Sequence, residues 1–405
     1  YKHRRTSILK HNIFILNIKY FKDMIIPEEF KDIRPFEPEE LPEAIDRIFS
    51  SEQFRTILPY FFPEIPVETL HQKMKEVKNS MEFQRSFSYH FVYRVLNNTS
   101  KSVSFNSDAI DKSKHFTFLS NHRDIVLDSA ILDVLLIDAG FDTSCEIAIG
   151  DNLLSLPWVK DLVRVNKSFI VERGLSPRQM LIASKRLSNY MHFVMSNKSE
   201  NIWIAQREGR AKDSNDRTQE ALLKMLTIGG EGSLADKLKE MHIVPLAISY
   251  EYDPCDYLKA MEFQLKRDNP EYKKSAQDDI LSMQTGIMGY KGRIHYHCAE
   301  CIDPFLESLD SELSKNDFYA TVAQHIDQQI HANYRLFANN YIALDLLENN
   351  NQYSNYYTHE EKQSFEGYIA GQLNKIQIEN KDEAYLRERI LTMYANPAIN
   401  HFKAI

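Results

Sequence analysis

The chain has 405 residues, of which 43% are hydrophobic and 26% charged, with 23 Phe and 21 Tyr. That length and aromatic content suit one large folded domain with additions, or several smaller ones, and exclude a disordered polymer. The formal net charge is −8 and the core carries no basic cluster or binding motif, so no nucleic-acid partner is expected.

Residues 1–23 form a basic arm with Lys2, Arg4, Arg5, Lys10, Lys19 and Lys22, and no acidic residue precedes Asp23. Such an arm suits an anionic membrane. Met24 and the acidic, Pro-punctuated residues that follow favour a plainer reading, an extension upstream of the natural product. Residues 24–100 read as a helical N-terminal region, with apolar Ile45, Ile48 and Phe49 after Pro42 and a second periodic stretch at 70–96.

From 115 onward, short β-rich runs alternate with amphipathic helical stretches. The runs lie at 115–120, 144–149, 168–172, 201–206, 243–252 and 293–298, and the helical patterns at 128–139, 177–195, 216–226 and 234–241. This alternation predicts an α/β domain over 101–305, with a central mixed, largely parallel sheet covered by helices. Residues 306–405 read as a helical C-terminal extension, with long stretches at 311–340 and 360–373.

The four cysteines, Cys145, Cys255, Cys298 and Cys301, are too few and too scattered for a disulfide framework, which points to a reducing compartment. No stretch offers about 18 uncharged apolar residues. A cytoplasmic protein that visits the membrane surface without crossing it is expected.

The first run leads into Ser120-Asn121-His122-Arg123-Asp124-Ile125-Val126-Leu127-Asp128, after which a helix begins. A carboxylate that holds one imidazole nitrogen as N–H leaves the other free to take a proton from an attacking hydroxyl. A lone His and Asp would read as a turn and its helix cap. Three further blocks change that reading. The 168–172 run ends at Arg173-Gly174, the 201–206 run ends in Arg207-Glu208-Gly209-Arg210, and the 243–252 run begins with Val244-Pro245. Arg beside Gly at a strand end suits bidentate phosphate contact with close backbone approach, although each Arg alone would pass for a surface charge.

In order and spacing these blocks resemble the glycerolipid acyltransferase family, which includes the glycerol-3-phosphate and 1-acylglycerol-3-phosphate acyltransferases. The matching residues are Asn121-His122 to Asp128, Phe169-Ile170 to Arg173, Glu208-Gly209-Arg210 and Val244-Pro245, and the resemblance covers about 115–300. The family places four residues between His and Asp, whereas five stand here and Leu127 holds the usual Asp position. Both Asp128 and Asp124 therefore stand as partners for His122. The family also has a further residue between Glu-Gly and Arg, so Arg207 can share the role of Arg210.

The resemblance implies O-acyl transfer from acyl-coenzyme A or acyl carrier protein, as co-substrate and not cofactor, to a hydroxyl of a glycerophosphate-type membrane lipid. It makes His122 the general base. Arg173 and Arg210 hold phosphate, Glu208 and Gly209 shape the pocket, and backbone N–H groups near the turn stabilise the oxyanion. Alternatives are O-acylation of an amino-acid lipid, thioester hydrolysis, and a non-catalytic lipid-binding module of the same fold. His295, His297, Cys298 and Cys301 are zinc-compatible in type, but four ligands in one extended segment cannot readily close a tetrahedron, so no metal is expected.

Overall fold

The computed structural model describes residues 25–405, so the basic arm expected at 1–23 lies outside the described residues. Seven strands form one sheet: β1 (Ser100–Asn106), β2 (Thr117–Ser120), β3 (Cys145–Gly150), β4 (Ser168–Val171), β5 (Asn201–Ala205), β6 (Ile243–Tyr250) and β7 (Gly292–Cys298). Their order across the sheet is β1-β7-β6-β2-β5-β3-β4. From β6 to β4 every pairing is parallel, with β2 between β5 and β6. β7 runs antiparallel to β6, and β1 runs parallel to β7. The sheet is thus mixed and mostly parallel.

The two-residue period of a strand sends neighbouring side chains to opposite faces, and the core divides accordingly. Phe118, Trp203, Val244, Leu246 and Ile248 meet the helices Tyr89–Thr99 and Leu127–Ala139 on one face. Leu119, Ile202, Ile204, Ile243 and Ala247 meet Pro177–Phe193, Glu220–Leu226 and Lys315–Ala332 on the other. With both faces covered, β6 is buried at all eight positions. The N-terminal helices and the helices beyond 338 each close a separate small core.

Several elements depart from the sequence expectation. β1 was not anticipated, because Ser100-Lys101-Ser102 gives this edge strand a polar opening. The helical stretch expected at 311–340 is broken, with Lys315–Ala332 and Ala338–Glu348 as separate helices. The break lets the Arg335 amide reach Ser249 Oγ at 3.0 Å, which ties the linker to β6. The helices Asp256–Asp268 and Ala276–Met288 are further additions, whereas Glu383–Ala404 falls within the helical extension expected at 306–405.

Parallel pairing has one consequence for chemistry. The turns after β2, β3, β4, β5 and β6 all leave the same edge of the sheet, where the polar residues of an α/β protein gather.

Candidate active site

The turn after β2 is held on both sides. Asn121 Nδ2 donates to the Ile248 carbonyl at 2.9 Å and Asn121 Oδ1 accepts from the Ile248 amide at 2.8 Å, locking the strand end to β6. His122 follows. Its Nδ1 lies 2.8 Å from Asp128 Oδ2. Asp128 is the second residue of the helix Leu127–Ala139 and is buried. The same Oδ2 accepts the amides of Arg123 at 2.6 Å and Asp124 at 3.0 Å, so the turn wraps around one carboxylate oxygen. A carboxylate only accepts, so Nδ1 bears the proton and Nε2 is left as acceptor. The Trp203 ring meets the imidazole edge-on at 5.7 Å.

Asp124 is not the partner of His122. Its Oδ1 accepts the amides of Val126 at 2.9 Å and Leu127 at 2.8 Å, tying off donors at the start of the helix. Burial pushes the Asp124 carboxyl above its ordinary range, and the charge of Asp128 pushes further the same way. These bonds bear on which amides of this turn could form the expected oxyanion site. Those of Arg123, Asp124, Val126 and Leu127 already serve the two carboxylates.

Sequence reasoning missed the shell around this turn. Arg123 is buried, its Nη2 2.7 Å from Asp216 Oδ2, and Tyr334 donates to the same Asp216 oxygen at 2.8 Å. Lys259 Nζ donates to the Arg123 carbonyl at 3.3 Å and also pairs with Asp253. On another side, Gly286 of the helix Ala276–Met288 lies so close that an added Cβ would stand 2.0 Å from Asp124 Oδ2. These contacts link residues up to 211 positions apart, and no local sequence pattern could have pointed to them.

The residues expected to bind an anion divide into two groups. Arg173, after β4, is half-buried; its amide donates to Asp151 Oδ1 at 3.0 Å and its guanidinium pairs with Glu208 at 3.3 Å. Glu208 and Gly209, after β5, are exposed, and Gly209 has the left-handed φ of 67° that favours glycine. Arg207 is half-buried, and its Nε is buried without a hydrogen-bond partner among the described residues. Arg210 lines a small cavity with Lys259, Glu262 and Ser282. Burial opposes its charge, but Cys255, Asp253 and Asp124 more than offset that and raise its pKa. Arg210 is half-buried, and its Nη1, like Arg207 Nε, is buried without a hydrogen-bond partner among the described residues.

His295 and His297 alternate with buried Ile294, Tyr296 and Cys298 along β7, and His295 Nδ1 meets Ser104 Oγ at 2.8 Å. Cys301 lies elsewhere, with His242 and Asp303 in a group whose ligand atoms fall within 4.8 Å of one another. His242 Nδ1 is already hydrogen-bonded to Asp303 Oδ2 at 2.6 Å, so an internal bond accounts for that pairing.

Residues 102–249 match the family model described as Acyltransferase, a stretch that runs from β1 through nearly all of β6 and holds the turns just described. This stretch is an acyltransferase domain. No curated protein matches the chain. Among solved structures the chain is similar to the crystal structure of the 1-acyl-sn-glycerophosphate (LPA) acyltransferase PlsC from Thermotoga maritima, at 12% identity and a TM-score of 0.36. That match covers 74% of this chain and 98% of the other, and at such a score it carries no argument about the site. Around the acyltransferase domain, among the described residues, no helix is long and apolar enough to cross a membrane.

Proposed function

We propose that the acyltransferase domain moves a fatty acyl group from acyl-coenzyme A or acyl carrier protein to a hydroxyl of a glycerophosphate-type lipid, working at the membrane surface. The His122–Asp128 contact at 2.8 Å, on a carboxylate also held by two amides, carries this reading.

Nε2 of His122 takes the proton as the acceptor oxygen attacks the thioester carbonyl. The tetrahedral intermediate collapses with cleavage of the C–S bond, and the proton returns from Nε2 to the departing thiolate. Asp128 keeps Nδ1 protonated and offsets the positive charge that forms on the ring. No acyl-enzyme is needed. Arg173 meets the acceptor phosphate in exchange for Glu208, and Arg207, with its spare buried Nε, supports the same head group. Arg210, whose charge Asp253 and Asp124 favour, is assigned to supporting the turn and not to the head group.

The test is acyl transfer by His122→Ala with glycerol 3-phosphate and lysophosphatidate as acceptors. Loss of about 10³-fold or more with unchanged circular dichroism is expected. Full transfer by the folded variant would overturn the reading, and lipid analysis of cells with and without the chain would identify the acceptor.

A further inference from the structure

The helix Pro177–Phe193 begins just beyond Arg173, on the sheet edge that carries His122. Its second half is ordinary core: Leu187, Tyr190 and Met191 are buried, and Phe30 packs on Tyr190 at 5.2 Å. Its opening turns are different. Met180 is 38% exposed, Leu181 66% and Ile182 62%, and Leu175 just before them is only partly covered. Three consecutive positions sweep about 200° of a helix, so no single packed neighbour could cover them all.

The charge around this apolar tip is one-sided. Between Glu172 and Glu200 there is no acidic residue in a chain whose net charge is −8. Arg173 and Arg186 are paired with Glu208 and Glu172. Exposed Arg178 lies four positions before Ile182 and exposed Lys185 four after Leu181, so both cations share the faces of the apolar side chains.

We infer that residues 175–185 dock the domain onto an anionic lipid surface, with Leu181 and Ile182 entering the interface and Arg178 and Lys185 meeting acidic head groups. This rests on the lipid-acceptor reading for its purpose, since it sets the mouth of the site against the layer that holds the acceptor. Charge argues against other occupants. A two-fold dimer through this patch would bring Arg178 and Lys185 against their own copies, and residues 1–22 carry six Lys and Arg and no acid, like charge against like. Buried apolar area together with attraction to acidic lipids is the general basis of interfacial helix binding.

The test uses the full chain in flotation with vesicles of phosphatidylcholine, with and without phosphatidylglycerol. The wild type should bind the anionic vesicles about tenfold or more tightly than the neutral ones. Leu181→Glu/Ile182→Glu should lose about tenfold or more on the anionic vesicles. Arg178→Glu/Lys185→Glu should lose the preference for anionic lipid. All three proteins should acylate soluble glycerol 3-phosphate equally, and a wild type inactive on every acceptor would sink the catalytic reading without touching the flotation result. Unchanged flotation by Leu181→Glu/Ile182→Glu would overturn the inference. So would a wild-type dimer dispersed by that variant, or an Ile182→Cys thiol that a maleimide reaches only after residues 1–24 are removed.

Discussion

The turn after β2 and the turns after β4 and β5 share one sheet edge but are built in opposite ways. In the first, each polar side chain near His122 has a fixed partner: Asn121 holds β6, Asp128 Oδ2 the ring and two amides, Asp124 the helix start and Arg123 Asp216, while Asp128 Oδ1 and Arg123 Nη1 stay buried without one among the described residues. In the others, Arg173 is half-buried and holds only Glu208, itself exposed, across 3.3 Å. A base must be aimed before substrate arrives, because misorientation costs rate directly. A head-group cradle has to exchange partners, and a loose surface ion pair gives up its counter-charge at little cost. Rigidity is concentrated around His122, and exchangeability around Arg173.

The contrast can be broken most severely at Asp128. Asp128→Asn can still accept the two amides but no longer offsets an imidazolium charge, and kcat should fall about 10²–10⁴-fold with little change in KM. A variant with full kcat would show that the turn needs only the shape of this side chain. Next is Arg210→Met, which removes a half-buried cation near buried Asp253 and Asp124 and should cost about 3 kcal/mol in denaturant unfolding. If it instead raised KM for phosphorylated acceptors and left stability intact, Arg210 would belong with the cradle. Gly286→Ala forces a carbon against Asp124 and should cost about 1–3 kcal/mol, with a matching loss of kcat. The smallest effect is expected for Arg173→Ala: KM for a phosphorylated acceptor up about tenfold, kcat nearly unchanged, and unfolding within about 0.5 kcal/mol of wild type.

The strands of the parallel region were legible because β-rich apolar runs bounded by helical patterns fit only a covered sheet. Asp256–Asp268 was not legible: its buried positions include Asp256, Lys259, Glu262 and Gln264, so the apolar period that marks a helix is missing. Ala276–Met288 did leave a local signal, the capping pair Ser275 and Asp278, which went unread. At the site, His122 and two candidate carboxylates could be named from residue type. Choosing between the carboxylates depended on how residues 123–126 turn back over Asp128, which spacing alone does not determine. The surroundings of Arg210 were hidden for a related reason. Sequence places it beside Gly209 but cannot say that Asp253 and Asp124 come near enough to favour its charge. Nothing in the sequence marks Met180 to Ile182 as exposed, because hydrophobicity does not report where a helix outruns its neighbours.

The bond between Arg123, Asp216 and Tyr334 has a consequence for where the molecule can be divided. Tyr334 follows the helix Lys315–Ala332, in the stretch that read as an appendage, yet its hydroxyl completes the cage around the residue next to His122. Truncation ahead of that helix would leave a guanidinium and a carboxylate wet and less well held on the flank of the turn, and the imidazole would lose its footing with them. Tyr334 thus couples the last hundred residues to the turn upstream, and a minimal domain trimmed to the family boundaries should fold poorly or turn over slowly.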